Sequence, residues 1–501
     1  MSSKKIASYT ILSIFILSIL TILFVFGYSF GASPLTMNYP MDSTNFMVMG
    51  RMLLEGKIPY VDFFDHKGPS LILLEAIGQL IAPYRAGVLV LELFHIFFTL
   101  FFLWKTSKLL LGKIEALVAP TILLLFIKYV FSGGNNTEEY SLLYVSISLY
   151  FFCRLLFLNE EIRWKHSFVI GLCFAFVAWL RLNNALPIVA MCVFLFFHYL
   201  IQKDYKSLKA FVLYFVLGLI PFTLLYLIYF SYHGALYDLF YASFLFNFLY
   251  VKSYIGFKQY FLWCNVLSFI VLASGAVLFY HKDKSFKIPI FSLLLLIACT
   301  FASNIGGGGM DHYYINLGIV FVFGLITIFY GLPYCLLRTV LAISVSLLLI
   351  RVLYYGIEHR LFTRDTQIAK YSKKEKLYRT FYDLIPNEDK GAVYYYDMSP
   401  DIYPLLKISS NYKYFVLQEW MGSFDPHILA EINQQIKMKP PLWFMLASPY
   451  YTDRRYKNKE FVSILEENYV IRYEDNTYTL LMSKTKDKDN IYPLFKKKTK
   501  H

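Results

Sequence analysis

The chain has 501 residues, of which 57% are hydrophobic and only 16% charged. A soluble domain carries roughly a quarter charged residues, so the composition excludes an ordinary water-soluble enzyme as the whole of the chain. The net charge of +14 comes without an arginine-rich or RNA-reading motif, and the basic residues sit in short loops between apolar runs and in the C-terminal domain. That distribution argues against a nucleic-acid partner and for membrane lipids, with the loop charges acting as topology signals.

Residues 6–30 form the first apolar run, preceded by Lys4 and Lys5. It is too long for a signal-peptide core and ends in no small-residue cleavage site, which predicts a first span with the N-terminus inside. Further spans are predicted at about 87–104, 114–131, 141–157, 167–181, 185–201, 210–230, 260–280, 288–303, 315–332 and 336–354, about eleven in all. Lys105, Lys108 and Lys113, then Arg163 and Lys165, Lys203, Lys206 and Lys209, Lys282, Lys284 and Lys287, and Arg338 fall in every second loop between these runs, and the loops on the other side are poorer in basic residues. The positive-inside rule makes those loops cytoplasmic, and an odd span count then puts the C-terminal region outside. The weakest pair is 167–201, where Arg181, Asn183, Asn184 and Pro187 interrupt the apolar pattern.

The first outer loop, 31–86, is long and only partly polar. Segments 46–54 and 71–81 place apolar residues at helical spacing, which predicts helices lying in the interface, and 235–250 reads likewise. All six cysteines lie within or beside spans, with no metal-ligand spacing, and read as small packing residues without a disulfide framework.

From position 356 the composition turns soluble. A helix at 366–384 is followed by a strand at 392–398, helix 400–406, strand 413–417, helix 427–436, strand 442–447, helix 460–468 and a terminal strand pair at 470–473 and 478–482. This alternation predicts a small α/β domain with a mostly parallel sheet. It has no GxGxxG, no P-loop and no cysteine or histidine cluster, so no catalysis is expected from it. The fold class is therefore a polytopic α-helical membrane protein over 1–355 with an extracytoplasmic α/β domain over 356–501.

Four polar clusters fall on the outer side of this topology. They are Asp42, just beyond the first span; Asp62-Phe63-Phe64-Asp65-His66-Lys67-Gly68-Pro69; Asn135-Asn136-Thr137-Glu138-Glu139-Tyr140; and Gly306–Gly309 followed by Asp311-His312-Tyr313-Tyr314. Arg181 and Asn183 join them at the outer end of the fifth span. Each has a structural reading. Asp42 fits a solvated loop carboxylate, Asp65-His66-Lys67 a polar turn, Glu138 and Glu139 helix-capping carboxylates, and the glycines a flexible turn. Acidic, basic and imidazole groups gathered on one membrane face favour function over four separate structural roles.

The stretch Met41-Asp42-Ser43 with Leu53-Leu54-Glu55-Gly56-Lys57-Ile58-Pro59-Tyr60-Val61-Asp62-Phe63-Phe64-Asp65-His66-Lys67-Gly68-Pro69 resembles the first outer loop of bacterial GT-C glycosyltransferases, nearest the protein mannosyltransferases and lipid A aminoarabinose transferases. The Asn-Thr-Glu-Glu-Tyr segment, the Arg181-Leu-Asn-Asn turn and the late Asp-His-Tyr-Tyr resemble further family features. The resemblance implies an inverting transfer of sugar from a polyprenyl-phosphate donor to an envelope glycan, lipid or protein on the outer face. It makes Asp42 the general base or acceptor-orienting group, and Lys67, Arg181 and His312 the groups that neutralise the donor phosphate. Asp62, Asp65, His66, Glu138, Glu139, Asn183, Asp311 and Tyr313 become substrate-binding candidates. A single Asp stands where the family has an acidic pair, which leaves a divalent cation open. Two rivals are a lipid-linked-sugar flippase and a non-catalytic scaffold. The first predicts polar groups at the bilayer midplane and inverted repeats, neither of which the sequence has, and the second leaves the charged first loop unexplained.

Overall fold

A computed structural model of the chain describes residues 3–158, 163–252, 262–305, 310–333, 335–447, 456 and 458–487. Gly306–Gly309 lie outside the described residues. Helix α1 (Ser3–Tyr28) is followed by two helices in the long first loop, α2 (Met41–Leu54) and α3 (Pro69–Ile81), the expected interfacial pair. Then come α4 (Arg85–Ser107), α5 (Lys113–Val118), α6 (Ile122–Ile127), α7 (Thr137–Phe157), α8 (Trp164–Leu180), α9 (Leu186–Ile201) and α10 (Tyr205–Tyr232). Helices α11 (Leu236–Phe240) and α12 (Phe246–Lys252) occupy the second expected interfacial stretch, and α13 (Leu262–Asp283), α14 (Lys287–Asn304), α15 (Gly318–Gly331) and α16 (Cys335–Tyr382) complete the helical part.

Among the described residues nine helices are long and apolar enough to cross a membrane. Two further expected spans take other forms. Helix α8 is apolar but only 17 residues long. The 114–131 run breaks into α5, a tight turn at Ala119–Thr121 and α6. Pro120 sits at that break, where it lacks an N–H and its ring obstructs a continuous helix. Outward-facing residues such as Phe15, Ile228, Phe269 and Leu293 are exposed and apolar, as lipid-facing positions should be. Glycines let backbones meet closely: a Cβ on Gly171 of α8 would lie 2.2 Å from Phe215 O of α10, and one on Gly218 2.2 Å from Phe168 O.

Helix α16 runs 48 residues, about 72 Å, so the expected helix at 366–384 begins inside a helix that starts in the membrane part and passes position 355 unbroken. It carries Tyr378, whose hydroxyl donates to Asp401 Oδ1 at 2.9 Å, into the C-terminal region. That region holds α17 (Ile402–Leu406), α18 (Gln418–Gly422), α19 (Pro426–Met438), α20 (Lys459–Asn468) and α21 (Lys484–Asp487). Its sheet is β1 (Val393–Tyr396), β2 (Trp443–Ala447), β3 (Tyr469–Glu474) and β4 (Tyr478–Ser483), in the order β1-β2-β4-β3.

Two expectations need correction. The sheet is mixed, not mostly parallel: β1 and β2 pair parallel with Val393 opposite Trp443, while β4 pairs antiparallel with both β2 and β3. The terminal hairpin, turned by Asp475 Oδ1 accepting from the Tyr478 N–H at 2.8 Å, inserts β4 next to β2. The expected strand at 413–417 is absent, because its carbonyls are taken elsewhere. Lys413 O accepts from the Phe64 N–H at 2.9 Å, Tyr414 O from the Tyr394 hydroxyl at 2.8 Å, and Phe415 O from the Tyr403 hydroxyl at 2.8 Å. The first of these bonds also docks the C-terminal region on the long first loop, where Phe64 and Tyr414 rings lie 5.3 Å apart.

Candidate active site

The loop before α3 is built tightly. Asp65 Oδ1 accepts from the Lys67 N–H at 2.9 Å, an aspartate-closed turn. The Tyr60 hydroxyl donates to Lys67 O at 2.8 Å, and Asn247 Nδ2 donates to His66 O at 2.8 Å. Pro69 then opens α3 at a position where its missing N–H costs nothing. Gly68 permits the approach of α8: its N–H donates to Leu180 O at 3.2 Å, and a Cβ there would lie 1.8 Å from Trp179 O.

This loop buries a charged triad. Lys67 Nζ donates to His66 Nε2 at 2.9 Å and lies 3.9 Å from Asp65 Oδ1, while Asp65 Oδ2 accepts from Asn45 Nδ2 of α2 at 2.7 Å. Burial pushes the Asp65 carboxyl above the usual carboxylate range against the pull of Lys67, and nearby Asp42 adds to the rise. Burial, with Lys67 and Arg181, holds His66 well below the usual imidazole range. His66 is therefore uncharged and accepts the lysine N–H, with Nδ1 turned toward Asp65 Oδ1 at 3.6 Å.

A second buried pair lies beside it. Arg181, where α8 ends in extended backbone, places Nη1 2.7 Å from Glu138 Oε1 in the first turn of α7. The guanidinium stacks over the Tyr313 ring at 4.1 Å, and His312 Nε2 lies 3.9 Å from Glu138 Oε2. Glu138 is fully buried and Arg181 is 8% exposed. Helix N-termini favour carboxylates, so the first turn of α7 helps hold Glu138 ionised.

Two cavities flank this pair. One, of about 450 Å³, is lined mainly by apolar side chains of α8, α9, α12 and the segment just before α12, among them Ala178, Val189, Phe244 and Phe248; its polar groups include His66, Arg181, Asn183 and Asn247. The other, of about 350 Å³, is lined by Asp42, Ser43, Asn136, Asp311 and His312 among others. Asp42 and Asp311 are exposed. Arg181 thus faces the first cavity and His312 the second, and Glu138 contacts both.

The structure gathers Asp42, Asp65, His66, Lys67, Glu138, Arg181, Asp311, His312 and Tyr313 around these two cavities. Asn183 lines the apolar one, its amide donating to Ala302 O of α14 at 3.0 Å. Asp62 stands apart, accepting from the Ile58 N–H at 2.7 Å and lining a different cavity. Glu139 points away from Glu138: it accepts from the Asn135 N–H at 2.8 Å, and the buried carboxyls Glu75 and Glu92 lie near it. Burial raises the Glu75 carboxyl to about 8.

Sequence reasoning missed Glu75 and Glu92, and it named Asn135 only as part of a polar cluster. Each carboxylate is isolated in an apolar helix, and that isolation was the available signal. Asn135, at φ +59, donates to Ser43 O at 3.2 Å and Ser43 Oγ at 3.1 Å, and accepts from the Tyr140 hydroxyl. It ties the start of α2, which bears Asp42, to the start of α7, which bears Glu138.

Among the described residues no group of three or more His, Cys, Asp or Glu side chains is arranged to hold a metal ion. The donors around Asp42 do not form a ready cation site. The five cysteines whose side chains are described are free.

No family model and no curated protein matches the chain. Solved structures do match. ArnT from Cupriavidus metallidurans bound to undecaprenyl phosphate is similar over 96% of this chain and 98% of that one, with a TM-score of 0.58 at 10% identity. The apo form of the same protein gives 0.58 at 10% identity, over 95% and 98% of the two chains. An Archaeoglobus fulgidus oligosaccharyltransferase tethered with an acceptor peptide gives 0.53 at 10% identity, over 95% of this chain and 74% of that one. At this identity the likeness is one of fold, and it extends over nearly the whole chain. The protein is a multi-pass membrane protein with the GT-C fold.

Proposed function

We propose that the protein is a membrane glycosyltransferase that moves a sugar from a polyprenyl-phosphate donor to an envelope acceptor on the outer face, with its C-terminal domain, 356–501, on that side. The observation that carries this reading is that one buried carboxylate, Glu138, contacts a cation facing an apolar cavity and an imidazole facing the cavity that Asp42 lines. A lipid phosphate with an apolar tail fits the first cavity, and the hydroxyl of an acceptor fits the second. The likeness to the undecaprenyl-phosphate-bound ArnT structure supports the donor class.

In this reading Asp42 takes the proton of an acceptor hydroxyl, and the oxygen attacks the anomeric carbon from the face opposite the phosphate. The carbon–phosphate-oxygen bond breaks with its electron pair leaving on the phosphate, so configuration inverts. Arg181 and Lys67, with His312 at the edge of the cavity that Asp42 lines, stabilise the charge that develops on the leaving group, where fixed cations in a dry site act most strongly. Glu138 orients Arg181, and the Asp65–His66–Lys67 triad orients the ammonium.

Binding of undecaprenyl phosphate to the purified protein in nanodiscs tests the reading. Val189→Trp, which fills the apolar cavity, and Arg181→Met, which removes its cation, should each weaken binding by about tenfold or more. Unchanged binding in both variants would contradict it.

A further inference from the structure

The C-terminal domain reaches the site through α18. Gln418, fully buried at the start of that helix, bolts it to the sheet: Oε1 accepts the Asp397 N–H at 2.8 Å, and Nε2 donates to Tyr395 O at 3.1 Å and to Tyr414 O at 2.8 Å. The Tyr241 hydroxyl donates to Asp425 Oδ2, tying the segment before α12 to the same domain. Trp420 of α18 and Phe424 just after it then lie against Tyr250 of α12, with ring centroids 5.6 and 5.1 Å from it. Trp420 also meets the His66 ring at 5.9 Å, and Tyr250 meets that ring at 5.3 Å. All four separations suit favourable aromatic pairs. On its far side Tyr250 brings its hydroxyl to 3.3 Å from that of Tyr313, and the Tyr313 ring carries the Arg181 guanidinium. Tyr250 is 2% exposed and Tyr313 3%. Packing alone would be served by phenylalanine at both positions, since buried hydroxyls are costly unless they meet a partner.

We propose that Tyr250, braced by Trp420 and Phe424 of the C-terminal domain, is a positioning residue that holds Arg181 in the attitude in which it receives the donor phosphate. That use of Arg181 rests on the transferase reading above. Glu138 holds the guanidinium at Nη1, and the Tyr313 ring sets the plane in which it can fork toward a phosphate. The hydroxyl end of Tyr313 meets Tyr250, so a shift of Tyr250 passes to that ring and on to the guanidinium. Tyr250 also packs on His66, whose Nε2 accepts from Lys67, so one side chain adjoins both cations assigned to the donor. The C-terminal domain thereby supports the donor site without supplying a group that touches substrate.

The test reads Arg181 itself, in the full-length protein in nanodiscs. Phenylglyoxal labels arginine side chains that swing free, and peptide mass mapping follows Arg181. Arg85, held by the carbonyls of Gly31, Ser33 and Thr36 and outside this chain of contacts, is the internal control. Tyr250→Phe should raise the labelling rate of Arg181 by about twofold and Trp420→Ala by about fivefold, the worth of one weak hydrogen bond and of one aromatic contact. Trp420→Phe, which keeps a ring in place, should stay near the wild-type rate, and Arg85 should not change. Both loosening variants should weaken undecaprenyl phosphate binding by similar factors, and neither should weaken it further in an Arg181→Met background. Tyr250→Phe, which removes a single oxygen, decides the matter even where Trp420→Ala does not fold. An Arg181 rate unchanged by Tyr250→Phe, or an Arg85 rate that rises in step with it, overturns the proposal. The two readings fail separately. A wild type that binds no undecaprenyl phosphate, with Arg181 loosened in the variants, removes the donor reading and leaves the hold of Tyr250 on Arg181. Binding that depends on Arg181, with an unmoved labelling rate, removes the positioning role alone.

Discussion

Glu138→Gln removes one charge from the most deeply buried ion pair of the site and keeps its shape. Two unit charges 2.7 Å apart attract by about 6 kcal/mol at an effective dielectric of about 20, and by about 1.5 kcal/mol in bulk water. Desolvation cancels much of that in the intact pair, but the variant leaves Arg181 buried without its counter-charge, which costs about 3–5 kcal/mol. Arg181→Met should cost a similar amount by stranding Glu138. The double variant should cost clearly less than the sum, since it strands neither charge. Denaturant or thermal unfolding of the purified protein in one detergent, run as a double-mutant cycle, reads the coupling. Single variants that each cost under about 1 kcal/mol and add simply would refute the argument, because that is how a solvated surface pair behaves.

Gly68→Ala should lower the yield and melting temperature of the protein, since its Cβ would meet Trp179 O at 1.8 Å and α8 cannot retreat without moving Arg181. Overpacking of this kind costs about 1–3 kcal/mol or more, read by a thermal melt. Asn135→Ala should lower kcat by disconnecting α2 from α7 while leaving undecaprenyl phosphate binding within about twofold, a split that steady-state kinetics and titration resolve together. Glu75 carries a pH signature. Its folded-state value of about 8 lies above the ordinary 4.5, so the folded state holds the proton more tightly. Its contribution is complete below about pH 4.5 and is lost as pH rises through 8. Glu75→Gln should flatten the fall in melting temperature between those limits, and an unchanged pH profile would count against it.

Much of this was legible in the sequence because bilayer physics writes large. Spans, the two helices α2 and α3 of the long first loop, and the clustering of Asp42, Lys67, Arg181 and His312 near helix ends all follow from where charge is tolerated. What was not legible depended on partners distant in sequence. Residues 413–417 have strand composition, yet Lys413, Tyr414 and Phe415 spend their carbonyls on Phe64, Tyr394 and Tyr403, none of which local pattern can supply. The order β1-β2-β4-β3 is set by the hairpin docking on β2, and alternation of elements along the chain carries no trace of that. Glu75 and Glu92 escaped notice because a single carboxylate barely alters the hydropathy of its helix. Asp62 and Asp65, three residues apart, could not be told apart until the turn between them was seen, the first lining a cavity and the second buried against Asn45 and Lys67.

The most direct test is the envelope glycan composition of a strain lacking this protein, complemented with the wild type or with Asp42→Asn at matched membrane levels. General-base catalysis contributes about 10²–10⁴-fold, so the account expects one sugar to disappear in the deletion, to return with the wild type and to remain missing with Asp42→Asn. Full restoration of that sugar by Asp42→Asn would contradict it.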